Sequence, residues 1–195
     1  MLYLTQVVKI QPTDIYVAEQ LGSAPFSRGL MFNAMVRLIS GNYHRLLLHD
    51  VDLIPLEWDL APTDKLTHLF SWCSLYAETL NTGIPYADYV GGSVLIPTEE
   101  YVRINGFDNG FVGWGAEDDN FRDRAKQFGS GWVRRSGKML HLPHERQSKE
   151  FAEQNDLRAE QLRSMKDSSS GLSSCNVTPD RFGWFNGCPM FSFAP

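Results

Sequence analysis

The amino-acid sequence predicts one α/β domain organised around a parallel sheet. Its 195 residues, 43% of them hydrophobic, suffice for a single core. The first third alternates strand, helix and strand, as a βαβ unit does. The stretch "LLLHDVDLIPL" (46–56) runs a leucine strand into two carboxylates, at the kind of strand end where open α/β sheets place their ligands.

Residues 14–20, "DIYVAEQ", read as a short buried strand, with "GSAP" as the loop after it. In "FSRGLMFNAMVRLIS", Leu30, Met31, Ala34, Met35 and Leu38 recur at helical spacing, and Gly41 is placed to end the helix. "YHRLLLHD" is the next strand. Residues 66–80 are apolar and read as helical or irregular. "YADYVGGSVLIP" reads as a strand in which Gly91 and Gly92 permit close backbone approach. "TEEYVRINGF" is a short helix, capped by Thr98 and stopped at Asn105-Gly106. The glycine-rich loop "GFVGWGAEDD" leads into the amphipathic helix "DNFRDRAKQFGS". A strand in "GWVRRSGKMLHLPHE" ends at two histidines. Residues 148–166 are polar and helix-prone, "DSSSGLSS" reads as a linker, and the aromatic tail "RFGWFNGCPMFSF" is expected to pack back on the body.

Composition narrows the function. A net charge of -5 argues against nucleic acid as a partner, whose binders carry basic surfaces. No apolar run approaches the length of a membrane span, and "MLYLTQVVKIQ" lacks the basic start and long apolar stretch of a signal peptide. Cys73, Cys175 and Cys188 make no disulfide framework, although Cys175 and Cys188 could pair in an oxidising compartment. "NVT" at 176–178 is a glycosylation sequon, a pattern common by chance.

Three groups of residues carry chemistry. Asp50 and Asp52 flank Val51; in an extended chain they face the same side. They could share a hard divalent cation, or one could take the metal and the other a sugar hydroxyl. Taken alone, a D-x-D triplet is more often a solvated turn. His141 and His144, in "HLPH", offer imidazole ligands, though two surface histidines around a proline would read the same. Together, Asp52, His141 and His144 make a mixed oxygen and nitrogen set that suits Mn²⁺ better than zinc. Glu117, Asp118 and Asp119 follow "GWG" at a helix start. The helix dipole alone favours acids there, but the position also suits a general base beside an acceptor hydroxyl. Trp114, between two glycines, is placed as a mobile platform for stacking a sugar.

"FSRGLMFN", "HDVDLIPL", "PYADYVGG", "RINGF", "GWGAEDDNF" and the histidine segment after "GKMLH" occur in that order. Over residues 14–144 they resemble the C-terminal galactosyltransferase region of the β-1,4-galactosyltransferase family. That resemblance implies a GT-A glycosyltransferase fold, a Rossmann-like α/β scaffold for nucleotide sugars. It also implies a UDP-galactose donor, Mn²⁺, a glycan or glycoprotein acceptor, and inversion at the anomeric carbon. By the same resemblance Asp52, His141 and His144 are metal ligands. Asp50, Val51, Phe26 and Arg28 contact the nucleotide. Tyr89 favours galactose over N-acetylgalactosamine, Trp114 is the mobile tryptophan, Asp118 is the catalytic base, and Glu117 and Asp119 bind the acceptor.

Two departures stand out: Val112 replaces the first tryptophan of W-G-W-G, and Ala116 stands where glycine or arginine is usual. The family's first strand, with its P-F-R-x-R type motif, is expected to be missing ahead of "MLYLTQVV". The expected organisation is a single, N-terminally truncated catalytic domain over 1–195, with a flexible lid at 142–166 and a tail at 167–195. Its expected setting is the Golgi lumen, with the anchor outside the chain, or the cytoplasm if the source is bacterial. The tail and "YVGG" resemble the xylose-directed branch, and N-acetylglucosamine is the other acceptor considered. The alternative function is a catalytically inactive remnant or sugar-binding module of the same fold. A UDP-N-acetylgalactosamine donor is disfavoured by the bulk of Tyr89.

Overall fold

In the computed structural model, which describes residues 14–144 and 148–195, apolar strands form three small sheets. The central sheet holds β2 (Arg45–His49), β6 (Ser93–Pro97), β4 (Leu66–His68) and β7 (Trp132–Arg134), in that spatial order. β6 pairs antiparallel with both β2 and β4, and β4 pairs parallel with β7. A second sheet sets β8 (Lys138–His141) between β3 (Leu53–Glu57) and β5 (Trp72–Cys73). A third sets β10 (Cys188–Phe193) between β1 (Val17–Gln20) and β9 (Pro179–Phe185).

The α/β class expected from the sequence is present, but the parallel βαβ unit is not. β1 pairs with β10 in the third sheet, and β2 pairs with β6 in the central one. A run of buried apolar residues identifies a strand without its partner or direction, because either pairing buries the same side chains. β6 shows the burial well. Val94 and Ile96 enter a cluster with Leu46, Leu48, Tyr101, Phe107 and Phe121, whereas Leu95 faces Leu53, Phe70 and Met139 on the other side. The Phe107 and Phe121 rings stack at 3.9 Å between centroids.

The helices follow their apolar spacing with small shifts. Helix α1 (Arg28–Ile39) buries Met31, Ala34, Met35 and Val36, while Leu38 is 42% exposed and lies outside the stripe. It ends by tightening into a 3₁₀ turn over Ser40–Asn42, so Gly41 is not a left-handed cap. Residues 66–80 split into β4, β5 and the short helix α2 (Ser74–Leu80). Helix α3 (Thr98–Arg103) takes Pro97 as its N-cap residue; the Thr98 hydroxyl instead donates to the Tyr43 carbonyl at 2.6 Å. Asn105 and Gly106 do end it, both with φ of 60°.

Helix α4 (Glu117–Phe128) and helix α5 (Ala152–Met165) are joined through buried charge. Asp108 is wholly enclosed and accepts from Arg124 at 3.0 Å, Arg158 at 2.6 Å and the Gly110 N–H at 2.8 Å. Removing that carboxylate would leave two arginines without their partner, a loss of about 3–5 kcal/mol. The serine-rich stretch expected as a linker is tied down. The Ser168 and Ser170 carbonyls accept from Asn105 Nδ2 and Arg124 Nη2, each at 2.7 Å. The tail does return to the body through β10, turning at Asn186-Gly187, but Phe182, Trp184 and Phe185 face outward. All three cysteines are buried and free, so Cys175 and Cys188 are not bonded here. The start of the chain, where the signal-peptide and missing-strand expectations fall, lies outside the described residues, as do residues 145–147 of the expected lid.

Candidate active site

The carboxylates that end the leucine strand occupy the turn from β2 to β3, where the central and second sheets meet. The turn breaks the extended geometry, so Asp50 and Asp52 find different partners. Asp52 belongs to the second sheet. In the β3–β8 ladder Leu53 faces His141, and the Leu142 N–H donates to the Asp52 carbonyl at 2.7 Å. That register brings His141 Nε2 to 3.1 Å and His144 Nε2 to 3.0 Å from the same Asp52 oxygen. The three ligand atoms lie within 4.8 Å of one another, a spacing that one cation could fill. Val51, at the tip, is 91% exposed.

Asp50 faces inward. Its backbone N–H donates to the Gly92 carbonyl at 2.8 Å, and its carboxylate accepts from Arg28 Nε at 2.7 Å. Arg28, at the start of α1, also donates from Nη1 to Asp118 Oδ1 at 2.6 Å. One guanidinium therefore bridges the strand-end carboxylate and the second residue of α4. Phe32 and Phe107 flank this guanidinium at 4.9 and 5.7 Å from their ring centres. Burial pushes the Asp118 carboxyl up to about 8; Arg28 opposes this, and Glu117 and Asp50 add to it. Burial raises Glu117 as well, against the pull of Arg28.

Gly91 explains how tightly the site closes. A Cβ there would collide with Asp118 Oδ2 and with the Tyr89 hydroxyl, so a side chain at this position would have to displace one or both. The partly buried Tyr89 phenol receives a hydrogen bond from Tyr76 at 3.3 Å, and its ring stands edge-on to Tyr76 and Tyr86, each 5.6 Å away. Asp119 turns from Asp118 toward Arg122 at 2.7 Å and the Tyr86 hydroxyl at 2.9 Å. Trp114 is 52% exposed, with Lys149 Nζ 5.4 Å over its ring. Gly113 (φ 65°), Gly115 (φ 119°) and Ala116 (φ 63°) give this loop its left-handed backbone. Phe26, 40% exposed, accepts at its carbonyl from the Gly113 N–H at 2.7 Å, which ties the start of α1 to the tryptophan loop.

Thus Asp50, Arg28, Asp118, Glu117 and Tyr89 gather on one side of the turn, and Asp52, His141 and His144 on the other. Sequence reasoning missed the Arg28 bridge, the Tyr76 and Tyr86 contacts, and Lys149 above Trp114. Of these, only Tyr86 carried a local signal, standing three residues before Tyr89 in "PYADY".

The chain is similar to known proteins over most of its length. Residues 73–145 match the family model described as the N-terminal domain of galactosyltransferase. Human β-1,4-galactosyltransferase 5 is 35% identical over 144 residues, covering 66% of this chain and 34% of that protein. Bovine β-1,4-galactosyltransferase 1 is 31% identical over 185 residues, covering 88% of this chain and 44% of that protein. The chain therefore spans less than half the length of these relatives. Two Drosophila β1,4-galactosyltransferase 7 structures share the fold at 21% identity, covering 92% of this chain and 78% of theirs. One is a catalytic domain with xylobiose (TM-score 0.70), the other a mutant with manganese, UDP-Gal and xylobiose (TM-score 0.71). Motif order, sequence identity and a shared α/β catalytic-domain fold together make this chain a member of the β-1,4-galactosyltransferase family.

Proposed function

We propose that this chain transfers galactose from UDP-galactose to a sugar acceptor, with inversion and in dependence on Mn²⁺. One observation carries the reading: a single turn, 50–52, joins a three-ligand cluster on one side to a partly buried, arginine-bridged carboxylate on the other. Asp52, His141 and His144 would hold the cation, and their oxygen and nitrogen atoms fit Mn²⁺. When bound, the cation supplies charge neutralisation for the departing diphosphate.

The remaining steps belong to the chain's own residues. Asp50, Val51, Phe26 and Arg28 bind the nucleotide side of the donor. Tyr89 and Gly91 form the wall against the galactose. Asp118 takes the proton from the acceptor hydroxyl as its oxygen bonds to the anomeric carbon; the bond to UDP breaks, and its electrons leave with the diphosphate. An Asp118 carboxyl pushed up to about 8 has the proton affinity such a base needs. Glu117 and Asp119 hold the acceptor, with Trp114 stacking on a sugar ring.

The segment 142–166 acts as the lid in this proposal. Lys149 lies over Trp114, and Phe151 packs where a Gly113 side chain would be, so the segment reaches the tryptophan loop. Its helix α5 is anchored by Asp108, Ala159 and Leu162. The acceptor is proposed to be xylose or N-acetylglucosamine, and the setting the Golgi lumen; among the described residues no helix is long and apolar enough to cross a membrane.

Calorimetric titration of UDP-galactose, with and without Mn²⁺, tests the reading. Mn²⁺-dependent binding followed by galactosylation of xylose or N-acetylglucosamine is expected. A folded chain that binds no donor with Mn²⁺ present would overturn it, in favour of a non-catalytic member of the family.

A further inference from the structure

The segment 87–91 carries Tyr89 and Gly91, yet it belongs to none of the three sheets. Three side chains hold its carbonyls: Arg122 Nη1 donates to the Asp88 carbonyl at 2.9 Å, and Arg134 and His68 take three others. Arg134 Nη1 donates to the Ala87 carbonyl at 2.8 Å, and Nη2 to the Tyr89 carbonyl at 2.5 Å. His68 Nε2 lies 3.1 Å from the Gly91 carbonyl, and Arg134 Nε lies 3.0 Å from His68 Nδ1. A guanidinium only donates, so His68 Nδ1 must accept, and its one proton sits on Nε2, aimed at Gly91. His68 is fully buried, and burial, aided by Arg134, lowers its pKa to about 3, which keeps the ring neutral. The two residues are in register across β4 and β7, so the sheet itself presents them as a unit.

We propose that His68 and Arg134 form a positioning clamp that fixes residues 87–91 and so sets the donor-selecting wall made by Tyr89 and Gly91. The selectivity half of this rests on the donor reading proposed above. The His68 ring stands edge-on to Tyr89 at 5.4 Å, so the clamp holds the tyrosine by its ring as well as by its backbone. Gly91, gripped at its carbonyl, separates the Tyr89 hydroxyl from Asp118. Loosening the clamp should widen that wall without touching the cation cluster.

The test compares wild type with Arg134→Lys, His68→Leu and His68→Gln in the full chain. Hydrogen exchange of peptides spanning 86–93 reads the clamp without any ligand. Calorimetry with Mn²⁺ reads the affinity ratio of UDP-N-acetylgalactosamine to UDP-galactose. Arg134→Lys and His68→Leu are expected to speed exchange in 86–93 and to raise the ratio roughly 3- to 10-fold, the equivalent of one hydrogen bond. His68→Gln, which keeps a donor and an acceptor, is expected to recover part of both. Should His68→Leu not fold, Arg134→Lys, which retains the charge and alters the fork, decides alone. Unchanged exchange in the folded variants would overturn the clamp, and faster exchange with an unchanged ratio would overturn its role in selectivity. Wild type that binds no UDP-galactose would count against the proposed function, while the exchange data would still decide the clamp.

Discussion

Asp50 and Asp52 stand one residue apart, yet one pairs with a guanidinium and the other with two imidazoles. On the Asp50, or inner, side Arg28 and Asp118 have side chains 13% and 19% exposed; on the Asp52, or outer, side His141 is 15% and His144 47% exposed. The inner carboxylates are crowded, with burial forcing Asp118 toward its protonated form. The outer group, one carboxylate and two imidazoles, is brought together by strand register, with ligand atoms spaced for an ion. The same residue type is thus suited to proton transfer on one side of a turn and to cation binding on the other, and the surroundings make the difference.

The division is testable by breaking each side in turn. Asp118→Asn should lower kcat about 100- to 10,000-fold, the usual contribution of a general base, while calorimetry finds UDP-galactose binding with Mn²⁺ little changed. If donor binding vanished along with turnover, the two sides would not be separable. His144→Ala should do the converse: weaken Mn²⁺ affinity by about tenfold or more, read by titration with the metal alone. A variant with undiminished Mn²⁺ affinity would remove His144 from the ligand set.

The pH dependence sharpens the inner side. Asp118 must lose its proton to act as a base, and its carboxyl is raised from 3.8 to about 8. In the free enzyme kcat/KM should therefore climb about tenfold per pH unit and level off near pH 8. Glu117→Gln, which removes a neighbouring carboxylate, should shift that plateau to lower pH. The stability contribution of the same group has the opposite slope. It is full below 3.8, where folded and unfolded forms both hold the proton, and is lost as pH rises toward about 8. A flat rate profile between pH 6 and 8 would contradict this account. The smallest effect is expected at the hinge between the two sides. Val51→Ala, at a 91% exposed position, should change stability by less than about 0.5 kcal/mol and weaken donor binding only slightly.

Sequence alone determined the parts of this protein that are local. Leucine and valine runs marked β2 and β6, apolar spacing marked α1 and α4, and Asn105-Gly106 marked a stop, because each depends on residues near in the chain. The acids after "GWG", the D-V-D triplet and "HLPH" were legible as chemistry for the same reason. The tertiary structure decided how they combine. It set β1 beside β10 instead of β2, turned Asp50 away from Asp52, aimed Arg28 at both Asp50 and Asp118, and placed His68 and Arg134 behind Tyr89. These are contacts between residues 22 to 173 positions apart, and no periodicity encodes them. They follow from which buried faces fit together, and packing and charge burial are settled only when the whole core assembles.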